Sequence, residues 1–154
     1  MKATNHHLPS TPGLFRRLGA IFYDSLLLIA TWFLFTIFAL PLTAGEAIPA
    51  GNILYRLYLL LIALAFFGGF WTHGGQTLGM RAWRIKVQQP NGQLITWRQV
   101  LLRFGSAFLS WLPLGAGFWW VFIDKEGQAW HDRLSITTLV LVPKKTKVNK
   151  SGAA

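Results

Sequence analysis

Three long apolar stretches restrict what this chain of 154 residues can fold into. They cover residues 18–42, 53–71 and 104–123. An α-helix rises about 1.5 Å per residue, so about 20 residues cross a hydrocarbon layer roughly 30 Å thick. Hydrophobic residues make up 53% of the chain and charged residues 13%, which is unlike a soluble domain of this size. We therefore expect an integral membrane protein.

The first two apolar stretches predict two transmembrane helices. The first helix begins near Leu14, and its apolar stretch is longer than the roughly 7–15 residues of a secretory signal. The second helix begins at Ile53 and ends near Trp71. The loop between them, residues 43–52, contains no lysine or arginine. Because basic loops stay in the cytoplasm, this loop is expected outside.

A polar and basic segment, residues 72–99, follows the second helix and is expected in the cytoplasm. Residues 84–88 alternate in the manner of a strand, Pro90-Asn91-Gly92 is a turn signal, and residues 93–96 can form a second strand. This pattern predicts a short cytoplasmic hairpin. Residues 135–142 are rich in β-branched side chains and predict a further strand, for which the hairpin is the expected partner.

The third apolar stretch is interrupted near its middle by Pro113, Gly115 and Gly117, which break a helix. Neither half is long enough to cross a bilayer alone. A single crossing would also place the lysine-rich end of the chain outside, against the positive-inside rule. We favour a hairpin that re-enters from the cytoplasmic face over a third full crossing. The expected fold is a membrane all-α fold with a small cytoplasmic β element, and both termini are expected in the cytoplasm.

The chain divides into three expected regions. Residues 1–13 are polar, contain two prolines and are expected to form a mobile arm. Residues 14–142 form the membrane domain. Residues 143–154 form a basic, disordered tail.

Asp24 is the one acidic residue well inside an apolar stretch. An unpaired carboxylate there costs at least about 2.5 kcal/mol on insertion scales, so it needs a cation, a proton or a hydrated cavity. Arg17, two helical turns earlier, is about 10 Å away along the axis, which makes direct contact marginal. Arg103 enters the membrane from the same side, so we expect an ion pair between Asp24 and Arg103, with Arg17 nearby. Such a cluster is either an ion-binding site or a structural lock, and the sequence leaves both open.

Little in the sequence supports a phosphate-binding, metal, catalytic or nucleic-acid site. Residues 74–81 resemble a phosphate-binding loop but lack its Lys-Ser or Lys-Thr pair. The 4 histidines lack the spacing of a metal site, there is no cysteine, and no nucleophile motif is present. A net charge of +10 would suggest nucleic acid in a soluble chain, but beside apolar spans it fits orientation and anionic headgroups. We expect no enzyme, no cofactor, no metal and no nucleic-acid partner.

Three separated segments resemble the RDD family of small membrane proteins, which is named for an arginine and two aspartates. The resemblance covers residues 13–142. The matching positions are Arg17 and Asp24 in the first segment, Gly75, Gln76, Thr77, Gly79 and Arg81 in the second, Arg103 at a helix start, and His131, Asp132 and Thr137 in the last. The resemblance implies that Arg17, Asp24 and Asp132 are the three residues behind the family name.

The chain departs from the family pattern at two places. Met80 stands where a lysine is common, and Ser135-Ile136 replaces the usual small pair before the threonine. A role tied to that lysine is therefore not carried over to this chain. The resemblance implies a bacterial cytoplasmic membrane. Most members of the family have no assigned activity, and some are linked to sodium/proton exchange.

Two functional hypotheses follow from these residues. In the first, Asp24, tuned by Arg17 and Arg103, binds a proton or a small cation for transport. One chain of this size encloses little space, so this hypothesis implies a homo-oligomer. In the second, the charged cluster only locks the helices together, and the chain is a non-transporting membrane adaptor that contacts lipid or a membrane protein partner.

Overall fold

A computed structural model of the chain describes residues 11–43, 46–49, 51–111 and 128–143. Two long helices dominate it. Helix α1 covers Leu14–Ala39 with 26 residues, and helix α2 covers Ile53–His73 with 21 residues. At about 1.5 Å per residue both are long enough to cross a bilayer. The two predicted transmembrane helices are thus confirmed as helices of spanning length and composition.

The surfaces of α1 and α2 are apolar and largely uncovered. Only 6% of the most apolar stretch of α1 and 17% of that of α2 are buried within the chain. A core helix of a soluble protein would be mostly covered by other elements. Phe15, Phe33 and Phe38 are more than two-thirds exposed along α1. Lipid is the environment that suits such helices.

Polar side chains between α1 and α2 hydrogen-bond across the pair. Trp32 Nε1 donates to the Leu59 carbonyl oxygen at 2.9 Å, and the hydroxyls of Thr36 and Tyr55 lie 2.7 Å apart. Helix α2 begins at Ile53 because the Asn52 side chain accepts a hydrogen bond from Tyr55 N at 3.1 Å. Satisfying these groups internally matters where no water is available.

Short elements gather at the end of the helix pair where α1 begins and α2 ends. They are helix α3 at Leu78–Ala82, strand β1 at Ile85–Gln88, helix α4 at Trp97–Trp111, helix α5 at Trp130–Leu134 and strand β2 at Thr138–Leu141. We call this group the boundary module. Strands β1 and β2 pair antiparallel, with Ile85 opposite Leu141. The predicted pairing of the C-terminal strand with this segment is confirmed.

The predicted hairpin within residues 84–96 is wrong in its second half. The turn forms, because Gln89 N donates to the Gln93 carbonyl oxygen at 2.9 Å, but residues 93–96 are not a strand. Thr96 and Gln99 instead make a capping box: Thr96 N donates to Gln99 Oε1 at 3.0 Å and Gln99 N to Thr96 Oγ1 at 3.4 Å. Because this box starts α4, residues 93–96 do not pair with β1. Strand β1 pairs with β2 instead.

The core of the boundary module is small and fully enclosed. Ile85, Val87 and Val100 are at most 1% exposed. Met80 and Leu139 pack against them. Burial of these side chains is what holds the two short strands, since an isolated pair of strands is only marginally stable in water.

Some expectations concern residues that the structure does not describe. The break at Pro113 and the re-entrant path after it lie outside the described residues, as do the basic tail from residue 144 and the arm up to residue 10. Of the arm, residues 11–13 are described, and Pro12 is buried.

Candidate functional site

Two arginines converge on Asp132 in the interior of the boundary module. Asp132 lies in α5 and is 0% exposed. Its Oδ2 atom lies 3.2 Å from a terminal nitrogen of Arg17, and its Oδ1 atom lies 2.5 Å from one of Arg103. The two arginines come from α1 and α4 and are themselves buried. One carboxylate thus joins the first turn of α1, the middle of α4, and α5.

Further groups hold the Asp132 carboxylate and the Arg103 guanidinium in place. Ala129 N donates to Asp132 Oδ2 at 3.1 Å. Arg103 also donates to Thr137 Oγ1 at 2.6 Å, and its guanidinium carbon lies 5.3 Å from the centre of the Trp71 ring. Such a cation over an indole ring is attracted by the ring quadrupole. We call Arg17, Arg103 and Asp132 the ionic triad.

Burial and charge together set the protonation of this region. Burial alone raises the pKa of the Asp132 carboxyl, but its cationic neighbours, Arg103 first, more than offset it, and the pKa lies below its usual value. Burial, with the positive charge of Arg103, lowers the pKa of the neighbouring His131 to about 4. At neutral pH Asp132 is therefore ionised and His131 is uncharged.

Asp24 has different partners from those that the sequence suggested. Thr77 Oγ1 donates to Asp24 Oδ2 at 2.5 Å, and Gly79 N donates to Asp24 Oδ1 at 2.9 Å. The expected ion pair between Asp24 and Arg103 is wrong, because Arg103 binds Asp132 instead. Asp24 is 5% exposed and has no ion pair among the described residues. It fastens α1 to the start of α3.

The glycines of the 75–79 segment allow this fastening. A Cβ atom on Gly79 would lie 2.5 Å from the Ala20 carbonyl oxygen and 2.8 Å from Asp24 Cγ, so only glycine fits. Gly75 has φ of +70°, and its carbonyl oxygen accepts a hydrogen bond from Val87 N at 2.7 Å. The segment therefore lies between α1 and β1 and ties them together.

Comparison with protein-family models matches residues 11–135 to the RDD family. The chain belongs to the RDD family. Membership, together with the two uncovered apolar helices, makes it a membrane protein. The suspected resemblance is thereby confirmed. A search of curated proteins and a search of solved structures each found no match.

In this RDD chain the three residues that the family resemblance singled out, Arg17, Asp24 and Asp132, lie in two separate sites. Arg17 and Asp132, which are 115 positions apart in sequence, meet in the ionic triad, whereas Asp24 binds the 77–79 backbone and hydroxyl. Of the other positions singled out in the sequence, Thr137 and His131 lie beside the triad. Gln76 donates to the Ile85 carbonyl oxygen at 2.6 Å. Arg81 is exposed and belongs to neither site.

Sequence reasoning missed two residues of the triad's surroundings. Trp71 was noted only as the end of the second apolar stretch, yet its ring covers Arg103. Ser135 was noted only as a departure from the family pattern, yet it is 0% exposed and its hydroxyl lies 2.8 Å from that of Thr137. No local signal marks either partnership, because both depend on contacts between distant segments. Among the described residues, no group of three or more acidic or histidine side chains could hold a metal ion.

Proposed function

We propose that this RDD protein is a non-transporting membrane adaptor. Helices α1 and α2 are its anchor, and the boundary module and the basic tail, residues 143–154, are the parts that contact lipid or a protein partner. The observation that supports this is that both carboxylates have partners within the chain. Each oxygen of Asp24 accepts a hydrogen bond within the chain, and each oxygen of Asp132 lies against an arginine. Groups held in this way serve to lock elements together.

The proposed setting is the bacterial cytoplasmic membrane, with both termini in the cytoplasm. The distribution of basic residues supports it, since residues 72–99 and 143–154 are basic and the 43–52 loop is not. The third apolar segment re-enters from the cytoplasmic face in this arrangement. The partners are anionic headgroups and a membrane protein, which includes a second copy of the chain. The proposal involves no catalysis, cofactor or nucleic acid.

A second candidate function is transport of a proton or small cation at Asp24. One observation favours it: the donors to Asp24 are a hydroxyl and a backbone N–H, so no cation among the described residues neutralises this carboxylate. Intramembrane acids without a cationic partner are characteristic of ion pathways. This candidate requires a pathway built by several copies of the chain.

Ion flux in proteoliposomes separates the two candidates. The full chain and its Asp24→Asn variant are reconstituted, and sodium and proton movement are followed under a pH gradient. Glu46→Gln is the matched control, because it removes an exposed acid with the same change of charge. The adaptor proposal expects no flux from any of the three proteins. It also expects a lower melting temperature for Asp24→Asn alone, because that carboxylate is a structural group.

The outcome that refutes the adaptor is equally clear. Sodium movement that the unaltered chain supports, and that Asp24→Asn abolishes at a temperature where the variant is still folded, establishes transport.

A second measurement tests the adaptor directly. Crosslinking in the membrane should yield one protein partner with the full chain and with Glu46→Gln, and removal of residues 143–154 should release it.

A further inference from the structure

An open groove of about 570 Å³ lies where the last turns of α2 meet the start of the boundary module. It is separate from the ionic triad and from Asp24. Residues of α2 form an apolar wall of the groove. The end of the groove that lies beyond α2 is polar. The lining residues used below are Phe66, Gly69, Phe70, His73, Gln76 and Arg81.

The groove changes from apolar to polar along the direction of α2. Phe66 lies seven positions before His73, about 10 Å deeper along the helix axis. Phe70 lies between them and stacks edge-on against Phe66, with ring centroids 5.2 Å apart. Beyond the end of α2, Arg81 stands at the polar end. A chain molecule with an apolar tail and a polar head fits this gradient in one orientation only.

Arg81 carries the only formal charge among the lining residues. Its side chain is exposed and makes no hydrogen bond or ion pair within the described part of the chain, unlike the buried Arg17 and Arg103. A guanidinium offers a planar fork of donors that matches phosphate oxygens. The charge at the polar end of the groove is therefore complementary to an anionic head.

The floor of the groove is open because Gly69 lies there. A Cβ atom on Gly69 would meet nothing within 4 Å among the described residues. This differs from Gly68, whose Cβ would lie 2.4 Å from the Trp97 ring. Among the described elements, Gly69 thus packs against none besides its own helix, and its missing side chain leaves the groove open as a channel along α2. An acyl chain lying there would cover the apolar surface that the groove exposes.

We propose that this groove binds one anionic phospholipid, with the phosphate at Arg81 and an acyl chain along Phe66 and Phe70. The site goes beyond the adaptor proposal, because it stands whether or not the chain moves ions. The proposal also differs from a general attraction between basic loops and headgroups. It states that a single lipid binds at a defined site, with its head at Arg81 and its tail in the channel along α2.

The test is native mass spectrometry of the full chain in detergent, titrated with phosphatidylglycerol and, separately, with phosphatidylcholine of the same acyl chains. Phosphatidylglycerol should bind as a single adduct and more tightly than phosphatidylcholine. Arg81→Gln should weaken its binding by about 5-fold, the effect of one cationic side chain near an anionic headgroup. Arg98→Gln is the matched control, since Arg98 is also exposed and lies outside the groove.

A second pair of variants tests the channel without changing charge. Gly69→Leu should fill the groove and weaken binding of both lipids, whereas Gly105→Leu, at an equally open position on α4, should not. Equal losses from Arg81→Gln and Arg98→Gln, or from the two glycine variants, overturn the proposal. Inorganic phosphate that displaces phosphatidylglycerol at similar concentration also overturns it, because the ligand would then be a free anion.

Discussion

Replacing Asp132 by asparagine tests the ionic triad directly. Asparagine has almost the same shape as aspartate, and its carbonyl oxygen can still accept the hydrogen bond from Ala129 N. The substitution therefore removes charge with little change in packing. Arg17 and Arg103 are left buried without their counterion, at 7% and 5% exposure.

The size of the effect follows from the distances. At an effective dielectric constant of about 20, unit charges 3.2 Å and 2.5 Å apart attract by roughly 5 and 7 kcal/mol. Dehydration of the three groups and repulsion between the two arginines offset much of this attraction. Removing one member of a buried ionic group typically costs about 3–5 kcal/mol. For a chain of this size the melting temperature should fall by roughly 6–20 °C.

Thermal unfolding in detergent, followed by circular dichroism, measures this shift. Glu46→Gln serves as the control, with the same charge change at an exposed residue. The double variant Asp132→Asn/Arg103→Gln should lose less stability than the sum of its two single variants, because it also removes one of the stranded cations. A shift for Asp132→Asn no larger than that of Glu46→Gln would refute the structural role of the triad, and so would strict additivity in the double variant.

Three further predictions concern other parts of the boundary module. Gly79→Ala should destabilise the chain by about 1–3 kcal/mol in detergent melts because its methyl group would meet the Ala20 carbonyl, whereas Gly105→Ala on α4 should be neutral or stabilising by up to about 1 kcal/mol. Ile136→Gly should raise the melting temperature, with a gain of up to about 1 kcal/mol. Ile136 has φ of 52°, which is unfavourable for a β-branched side chain, and at 68% exposure it loses little burial. Stability should fall by up to about 3 kcal/mol as the pH drops from 6.5 to 4. In that range unfolded His131 takes up a proton that the folded form, with a pKa of about 4, excludes. Melts of His131→Gln across this range should lose that slope, and an unchanged slope contradicts the assignment.

The long helices and the strand near the C-terminus were predictable because their signals are local. Apolar length alone gave α1 and α2, and β-branched composition gave β2. The prediction of a second hairpin strand was wrong, and the reason is also local. Thr96 and Gln99 form a capping box that was present in the sequence and outweighs the weak strand tendency of residues 93–96.

The partner of Asp24 could not be deduced from spacing. Depth along a helix narrows the choice of partner, but several groups reach the same depth, and Thr77 and Gly79 compete with Arg103. The partner of Asp24 is decided by the direction in which each element leaves the end of the helix pair. Asp132 is the instructive counterpart, since only the family resemblance singled it out, and it lies at 0% exposure in a helix. The two arginines that bind it belong to α1 and α4, which are far apart in the sequence.

The bond between Arg17 and Asp132 has a consequence for synthesis of the chain. The two residues are 115 positions apart, so at 5–20 residues per second a ribosome needs roughly 6–23 s to deliver the second after the first. Both apolar helices emerge during that delay, while Arg17 still lacks its carboxylate. The ion pair therefore forms late, and in a nascent chain halted before α5 the Arg17 guanidinium lacks its carboxylate partner.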